Sequence, residues 1–142
     1  MQQDCEMLNE IRKTTKMGQV GIHSVMKGGM SGEFHNVLQS QLREYDAIYQ
    51  EADQLLHEHG GTPKNLSAFA KWGNMMATSM KMKSDGSRSK VAEMMIEGNT
   101  KGMIKSIQSI RTMGVLDPKV SALSNRLLQT EQANIDQMKA YL

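Results

Sequence analysis

The stretch LLQTEQANIDQM, residues 127–138, decides the fold, because it holds a carboxylate inside an apolar helical stripe. Apolar residues recur there at three- and four-residue steps, at Leu127, Leu128, Ile135 and Met138. This is the spacing of one buried helix face. Glu131 falls in the middle of that face, and Asn134 lies beside it three residues on. A carboxylate facing a helical core needs a metal, a hydrogen bond or its own proton. The sequence therefore predicts a helical core with a polar centre.

The same helical spacing runs through the rest of the chain, and glycine and proline clusters divide it. Gly28-Gly29 ends a first helix, Gly60-Gly61-Thr62-Pro63 a second and Gly114 a third. Asp117-Pro118 is a typical helix start. No alternating strand pattern appears. We predict a single all-α domain, residues 1–142, with helices at about 4–27, 31–59, 87–113 and 117–141.

A connection of about 64–84 separates the first two helices from the last two. Short loops make antiparallel neighbours, whereas one long connection lets the second pair lie beside the first, with a crossover that spans the bundle. This segment is methionine-rich and contains the only tryptophan; its marked residues are Trp72, Met75, Met76 and Met80. We read it as a short helical crossover that either caps the bundle or presents an apolar interaction surface to another subunit.

Composition excludes several classes of protein. The 17 basic and 15 acidic residues are interspersed, and a net charge of +2 is too balanced for a nucleic-acid-binding surface. No apolar run is long enough for a transmembrane helix, and the N-terminus lacks a secretory signal. The single cysteine, Cys5, rules out an internal disulfide and favours a cytoplasmic location. The 14 methionines are expected mainly to fill the core.

An internal repeat relates the two halves of the chain. The matched positions are Glu44 with Glu131, Ala47 with Asn134, and Gly18-Gln19 with Gly98-Asn99. Matches at corresponding heights in four helices indicate two copies of one helical hairpin.

With these positions in place, the chain resembles the ferritin-like superfamily, which includes ferritins, rubrerythrins and many small bacterial relatives. It is most similar to small rubrerythrin-like proteins. The two segments that resemble their sequences are CEMLNEI, residues 5–11, and VAEMMIEG, residues 91–98. The resemblance implies a ferritin-like four-helix bundle made of two antiparallel hairpins. In metal-binding members, two helices each present a Glu and two present Glu-x-x-His, and these ligands hold two iron or manganese ions.

Carried over to this chain, the ligand positions are degenerate. The two Glu positions fall on Gln19 and Asn99, and the two Glu-x-x-His motifs start at Glu44 and Glu131, with Ala47 and Asn134 where the histidines would be. Two carboxylates and neutral amides offset the charge of a di-iron centre poorly. We therefore expect no cofactor, with iron or manganese on Glu44 and Glu131 as the alternative.

The amides suggest what holds the carboxylates instead. Asn and Gln side chains both donate and accept hydrogen bonds. We predict a core polar network of five residues at the former di-iron positions: Gln19, Glu44, Asn99, Glu131 and Asn134. In this network Gln19 satisfies Glu44, and Asn99 or Asn134 satisfies Glu131. Tyr45, next to Glu44, is a further candidate donor.

The four histidines fall at the two ends of the first hairpin. His23 and His35 are expected at one end, and His57 and His59 at the other. Simple exposure is the favoured interpretation, and a surface zinc or nickel site is the alternative.

Three functions follow from these patterns. The leading hypothesis is a metal-poor structural or interaction protein that forms a homodimer and is not an enzyme. The alternative is a binding protein that uses the residual core carboxylates for a metal ion or a small polar ligand. A rubrerythrin-type oxidoreductase is disfavoured, because the histidines, half of the carboxylates and a Cys-x-x-Cys motif are missing.

Overall fold

The structure is a computed structural model of the chain that describes residues 2–27, 32–67 and 88–142. Four α-helices make up most of these ranges: α1 (Gln2–Met26), α2 (Gly32–Glu58), α3 (Arg88–Thr112) and α4 (Pro118–Lys139). The described residues include no strand, and the helices pack against one another, so the all-α prediction is confirmed. Each helix end lies within two residues of its predicted position.

The predicted crossover extends beyond these ranges. Only its first residues, up to Ser67, are among those described. The interaction surface expected at Trp72, Met75, Met76 and Met80 lies outside them, so its role stays a prediction. None of the helices in the described ranges is long and apolar enough to cross a membrane.

The helix ends follow from local chemistry. Asp117 caps α4, where its side chain accepts a hydrogen bond of 2.9 Å from the backbone nitrogen of Lys119, and Pro118 occupies the first turn. Gly60 and Gly114 follow α2 and α3 with φ values of 68° and 72°. Glycine adopts this left-handed conformation without strain, which is why it commonly ends a helix.

Contacts from α1 establish the directions of α2 and α3. Gln19 of α1 donates to Asp46, and Arg12, a turn or two earlier, forms an ion pair of 3.0 Å with Asp53, so α1 and α2 are antiparallel. On the other side of α1, Lys105 of α3 reaches Glu10 at 3.7 Å. A Cβ atom on Gly102 would lie 3.4 Å from Thr14, which makes α3 antiparallel to α1 as well. It follows that α2 and α3 are parallel, and α3 begins at the end of the bundle opposite to where α2 stops.

α4 closes the bundle between α2 and α3. Gln41 of α2 donates to Gln137 at 2.9 Å, and Glu44 accepts from Arg126 at 2.9 Å, so these two helices are antiparallel. The core inside the four helices is mainly aliphatic. Its largest completely buried residues include Met7, Leu8, Ile11, Ile22, Phe34, Leu38, Ile48, Leu56, Leu127 and Met138.

α3 is the least buried of the four helices. It buries only Val91, Ala92, Met95, Asn99 and Ser106. Two of its isoleucines are open to solvent, with Ile104 52% and Ile107 37% exposed. Because α3 packs loosely, a groove remains between it and α1.

Two mid-helix glycines differ in their surroundings. A Cβ atom at Gly18 would lie only 2.7 Å from the ring of Tyr45, so this glycine permits the close approach of α1 and α2. Within the described part of the chain, a Cβ atom at Gly98 would have no neighbour within 4 Å. Close packing therefore offsets the helix propensity that glycine costs at position 18, whereas no contact among the described residues offsets it at position 98.

We therefore expect opposite effects from one kind of substitution. Gly98→Ala should raise the free energy of unfolding by up to about 1 kcal/mol, because alanine favours the helix and meets no obstacle. Gly18→Ala should lower it by about 1–3 kcal/mol, because the methyl group collides with a buried ring. Urea denaturation measures both values. A similar shift of the same sign in the two variants would contradict this packing.

Candidate ligand-binding groove

The groove between α1 and α3 has a volume of about 560 Å³. Its walls come from both helices, and Tyr45 of α2 and Glu131 of α4 reach it from below. The lining residues are Lys13, Thr14, Met17, Gly18, Gly21, Tyr45, Met94, Met95, Glu97, Gly98, Asn99, Lys101, Gly102, Lys105 and Glu131. Four glycines among them reduce the side-chain volume between the helices. The groove therefore reaches down to the buried polar centre of the bundle.

The Tyr45 side chain lies in the middle of that polar centre, next to Asn99, Glu131 and Asn134. Its hydroxyl donates a hydrogen bond of 2.5 Å to Oδ1 of Asn99, whose Nδ2 donates in turn to the Met95 carbonyl oxygen at 2.8 Å. Burial of the ring, and next the charge of Glu131, raise the pKa of Tyr45, while the adjacent amide of Asn134 acts in the opposite direction. The tyrosine is therefore a neutral donor over the physiological pH range.

Glu131 is the most deeply buried ionisable side chain at this site. It is 1% exposed, and its Oε2 atom has no hydrogen-bond partner among the described residues. Burial raises the pKa of its carboxyl group to about 8. Gly102 makes room for it, since a Cβ atom there would lie 2.6 Å from Oε1 of Glu131. At neutral pH the groove thus has a protonated carboxyl group at its floor, which is both a donor and an acceptor.

Three of the five predicted network residues come together. Asn99, Glu131 and Asn134 are all buried around the Tyr45 hydroxyl. The expected amide–carboxylate pairing is wrong, however. Asn99 binds Tyr45 and a backbone carbonyl, and Nδ2 of Asn134, like Oε2 of Glu131, has no partner within the described ranges.

The other two predicted network residues lie away from the centre. Glu44 is at the bundle surface with its side chain 41% exposed, and it forms an ion pair with Arg126. Gln19 is buried, but it donates to Asp46 at 2.6 Å and not to Glu44. The prediction of a Gln19–Glu44 pair in the core is therefore wrong. Alignment of the repeat on its glutamates places Glu44 in the core, whereas the buried face of α2 is centred on Tyr45, about 100° further around the helix.

The periodicity of α2 contained the signal that identifies Tyr45. This residue falls in the apolar stripe with Leu38, Leu42 and Ile48, all of which are buried. A hydroxyl group in such a stripe needs a buried partner. Only the position of Asn99 on α3 shows which partner it has.

The donor atoms present do not fit a di-iron or di-manganese centre. Hard divalent ions need several carboxylates or imidazoles at one point. Here one carboxyl group, Glu131, is accompanied by amides and a phenol, while Glu44 is at the surface and Ala47 is exposed. Across the described ranges, no three His, Cys, Asp or Glu residues lie close enough to hold a metal ion.

The histidines do not form a cluster in the described residues either. His23 and His57 are exposed, and His35 is half-buried. The Nδ1 atom of His59 lies 2.8 Å from the Leu55 carbonyl oxygen, and its Nε2 is 3.8 Å from Asp117. His59 therefore links the end of α2 to the start of α4.

One end of the groove is cationic. Lys13, Lys101 and Lys105 line it there, and Lys105 forms an ion pair of 3.7 Å with Glu10. The side-chain contact with Lys105 and then partial burial lower the pKa of Lys13. Two ammonium groups therefore lie close enough to disfavour each other's charge.

The buried carboxyl group predicts a distinctive pH dependence for Glu131→Gln. In wild type the group takes up a proton on folding, since its pKa of about 8 exceeds the value of 4.5 for a free glutamate. Wild-type stability should therefore decrease as the pH rises from about 4.5 to 8. Glutamine cannot ionise, so the variant should gain stability over wild type through this range, by up to about 5 kcal/mol above pH 8.

Urea denaturation at about pH 5, 7 and 9 measures this difference. The matched control is Glu44→Gln, which removes a half-exposed carboxylate and should change stability by less than about 1 kcal/mol. A Glu131→Gln effect that stays constant across the three pH values would show that the carboxyl group is not buried as described.

Comparison with known proteins adds no assignment to this geometry. No protein-family model, curated protein or solved structure matches the chain.

Proposed function

We propose that this protein binds a small amphipathic molecule in the groove between α1 and α3. The observation that carries the proposal is the Glu131 carboxyl group. It lies at the floor of a groove of about 560 Å³, and one of its oxygen atoms has no partner among the described residues. A ligand with a hydroxyl or carbonyl group would hydrogen-bond to this carboxyl group once a rotation of the side chain brings the unpartnered oxygen to the groove.

The walls suit the apolar part of such a ligand. Small-molecule sites typically have volumes of about 300–1,000 Å³ and apolar walls with a few polar groups that orient the ligand. Met17, Met94 and Met95 line this groove, and methionine side chains adapt to ligands of different shapes. Tyr45 and Asn99 are already paired with each other, which leaves Glu131 as the group that would select a polar substituent.

This proposal favours the binding protein over the purely structural or interaction protein among the functions expected from the sequence. In a purely structural bundle, the glycines that line the groove above Glu131 would lower helix stability without any benefit. The oxidoreductase has the least support, because the donor atoms at the centre do not suit the metal pair it requires.

Membership of the ferritin-like superfamily stays a proposal. What supports it is the parallel orientation of α2 and α3, which the crossover layout requires. The homodimer and the cytoplasmic location also stay predictions. The exposed Ile104 and Ile107 on α3 are compatible with an interface between subunits.

A groove-filling variant tests the proposal. Leucine at position 98 would enter the groove from α3, where a Cβ atom meets nothing within 4 Å, so Gly98→Leu should fold normally. With octanol as the probe, wild type should bind and show backbone NMR shifts around Gly18 and Gly102. Gly98→Leu should bind at least about tenfold more weakly, because the leucine occupies the probe's volume.

The matched control is Gln108→Leu, an exposed position on α3 outside the groove lining. It adds the same apolar group to the same helix and should bind octanol as wild type does. Equal octanol affinity in Gly98→Leu and wild type, or shifts confined to residues outside the groove, would refute the proposal.

A further inference from the structure

We infer that the ligand carries an anionic end group, held between Lys13 and Lys105, and an apolar chain that lies toward Met17 and Met94. This inference rests on the proposed function and specifies the chemical class of the ligand. The observation that carries it is a groove with lysines at one end, mainly methionine and glycine with Glu97 at the other, and a buried carboxyl group at its floor.

The groove has a direction because α1 and α3 are antiparallel. Along α3 its lining runs from Met94 to Lys105, a distance of about 16 Å at 1.5 Å per residue. Along α1 it runs the opposite way, from Gly21 to Lys13. The two helices therefore place their lysines at the same end, and the other end is lined by methionine and glycine together with the exposed Glu97. A molecule with one charged end matches this arrangement.

The charge at the lysine end is incompletely balanced. Lys13, Lys101 and Lys105 meet there, and the contact of 3.7 Å between Lys105 and Glu10 accounts for one carboxylate. The side-chain contact with Lys105, then burial and the charge of Lys105, lower the pKa of Lys13, and Glu10 only partly opposes them. An anion between them would replace this repulsion with two attractions. A cationic ligand would add to the repulsion instead.

The floor of the groove does not oppose an anion. Below about pH 8 the Glu131 carboxyl group is uncharged, so it presents a hydrogen-bonding group and no negative charge to the ligand. Gly102 lies one turn of α3 from Lys105, which puts Glu131 beneath the part of the groove next to the lysines. The anionic end of an amphiphile would thus lie between Lys13 and Lys105, and its apolar chain would pass over the neutral Glu131 carboxyl group toward the methionines.

The test compares three probes that share one alkyl chain: octanol, octanoate and octyl phosphate. Binding is measured by isothermal titration calorimetry to wild type and to the double variant Lys13→Gln/Lys105→Gln. The matched control is Lys119→Gln/Lys139→Gln, which removes the same charge from exposed positions on α4. All four lysines are at least partly exposed, so both double variants should fold.

We expect wild type to bind the anionic probes at least about tenfold more tightly than octanol, with a preference that weakens as salt is added. The groove variant should lose this preference and keep its octanol affinity, while the control should behave as wild type. Tighter binding of octanoate would identify a carboxylate end group, and tighter binding of octyl phosphate a phosphate. Either result supports the inference.

Two other outcomes would overturn it in distinguishable ways. If octanol binds wild type as tightly as the anionic probes and Gly98→Leu blocks all three, the groove binds ligands but has no preference for an anion. If none of the probes binds wild type, the proposed function fails together with the inference.

Discussion

The burial of one carboxyl group constrains the rest of this structure. An ionised carboxylate in an apolar core is costly unless it is paired, so Glu131 keeps its proton up to about pH 8. Gly102 leaves the space that the side chain needs, and Tyr45 and Asn99 form a hydrogen bond with each other beside it. The centre of the bundle is thus polar but uncharged at neutral pH, and one of its oxygen atoms has no partner among the described residues.

The groove is the consequence of having glycines where two helices would otherwise close over that centre. Gly18 lets α1 approach Tyr45, while Gly98 faces open space on α3. Each glycine costs helix stability, about 1 kcal/mol relative to alanine. At Gly18 close packing offsets this cost. At Gly98 no contact among the described residues does, and the absent side chain leaves this wall of the groove open.

The directions of α1 and α3 determine where the charged and the apolar residues lie along the groove. Because α1 and α3 are antiparallel, Lys13 comes to lie against Lys105, ninety-two residues later in the chain, and the methionines collect at the other end. The same geometry explains why a metal pair does not fit. The carboxylate that would complete the site, Glu44, faces the side of the bundle and binds Arg126.

The sequence by itself determined the four helices of the described ranges, their approximate ends and the burial of Glu131. These features depend on local rules: the 3.6-residue period, the cap at Asp117 and the left-handed glycines after α2 and α3. Only the tertiary structure decided which polar groups meet. The hydrogen bond from Tyr45 to Asn99 joins residues 54 apart in the chain, and it depends on how far each helix is rotated about its axis. A rotation of one residue, about 100°, puts Tyr45 in the core and Glu44 at the surface, and an alignment of glutamates cannot detect it.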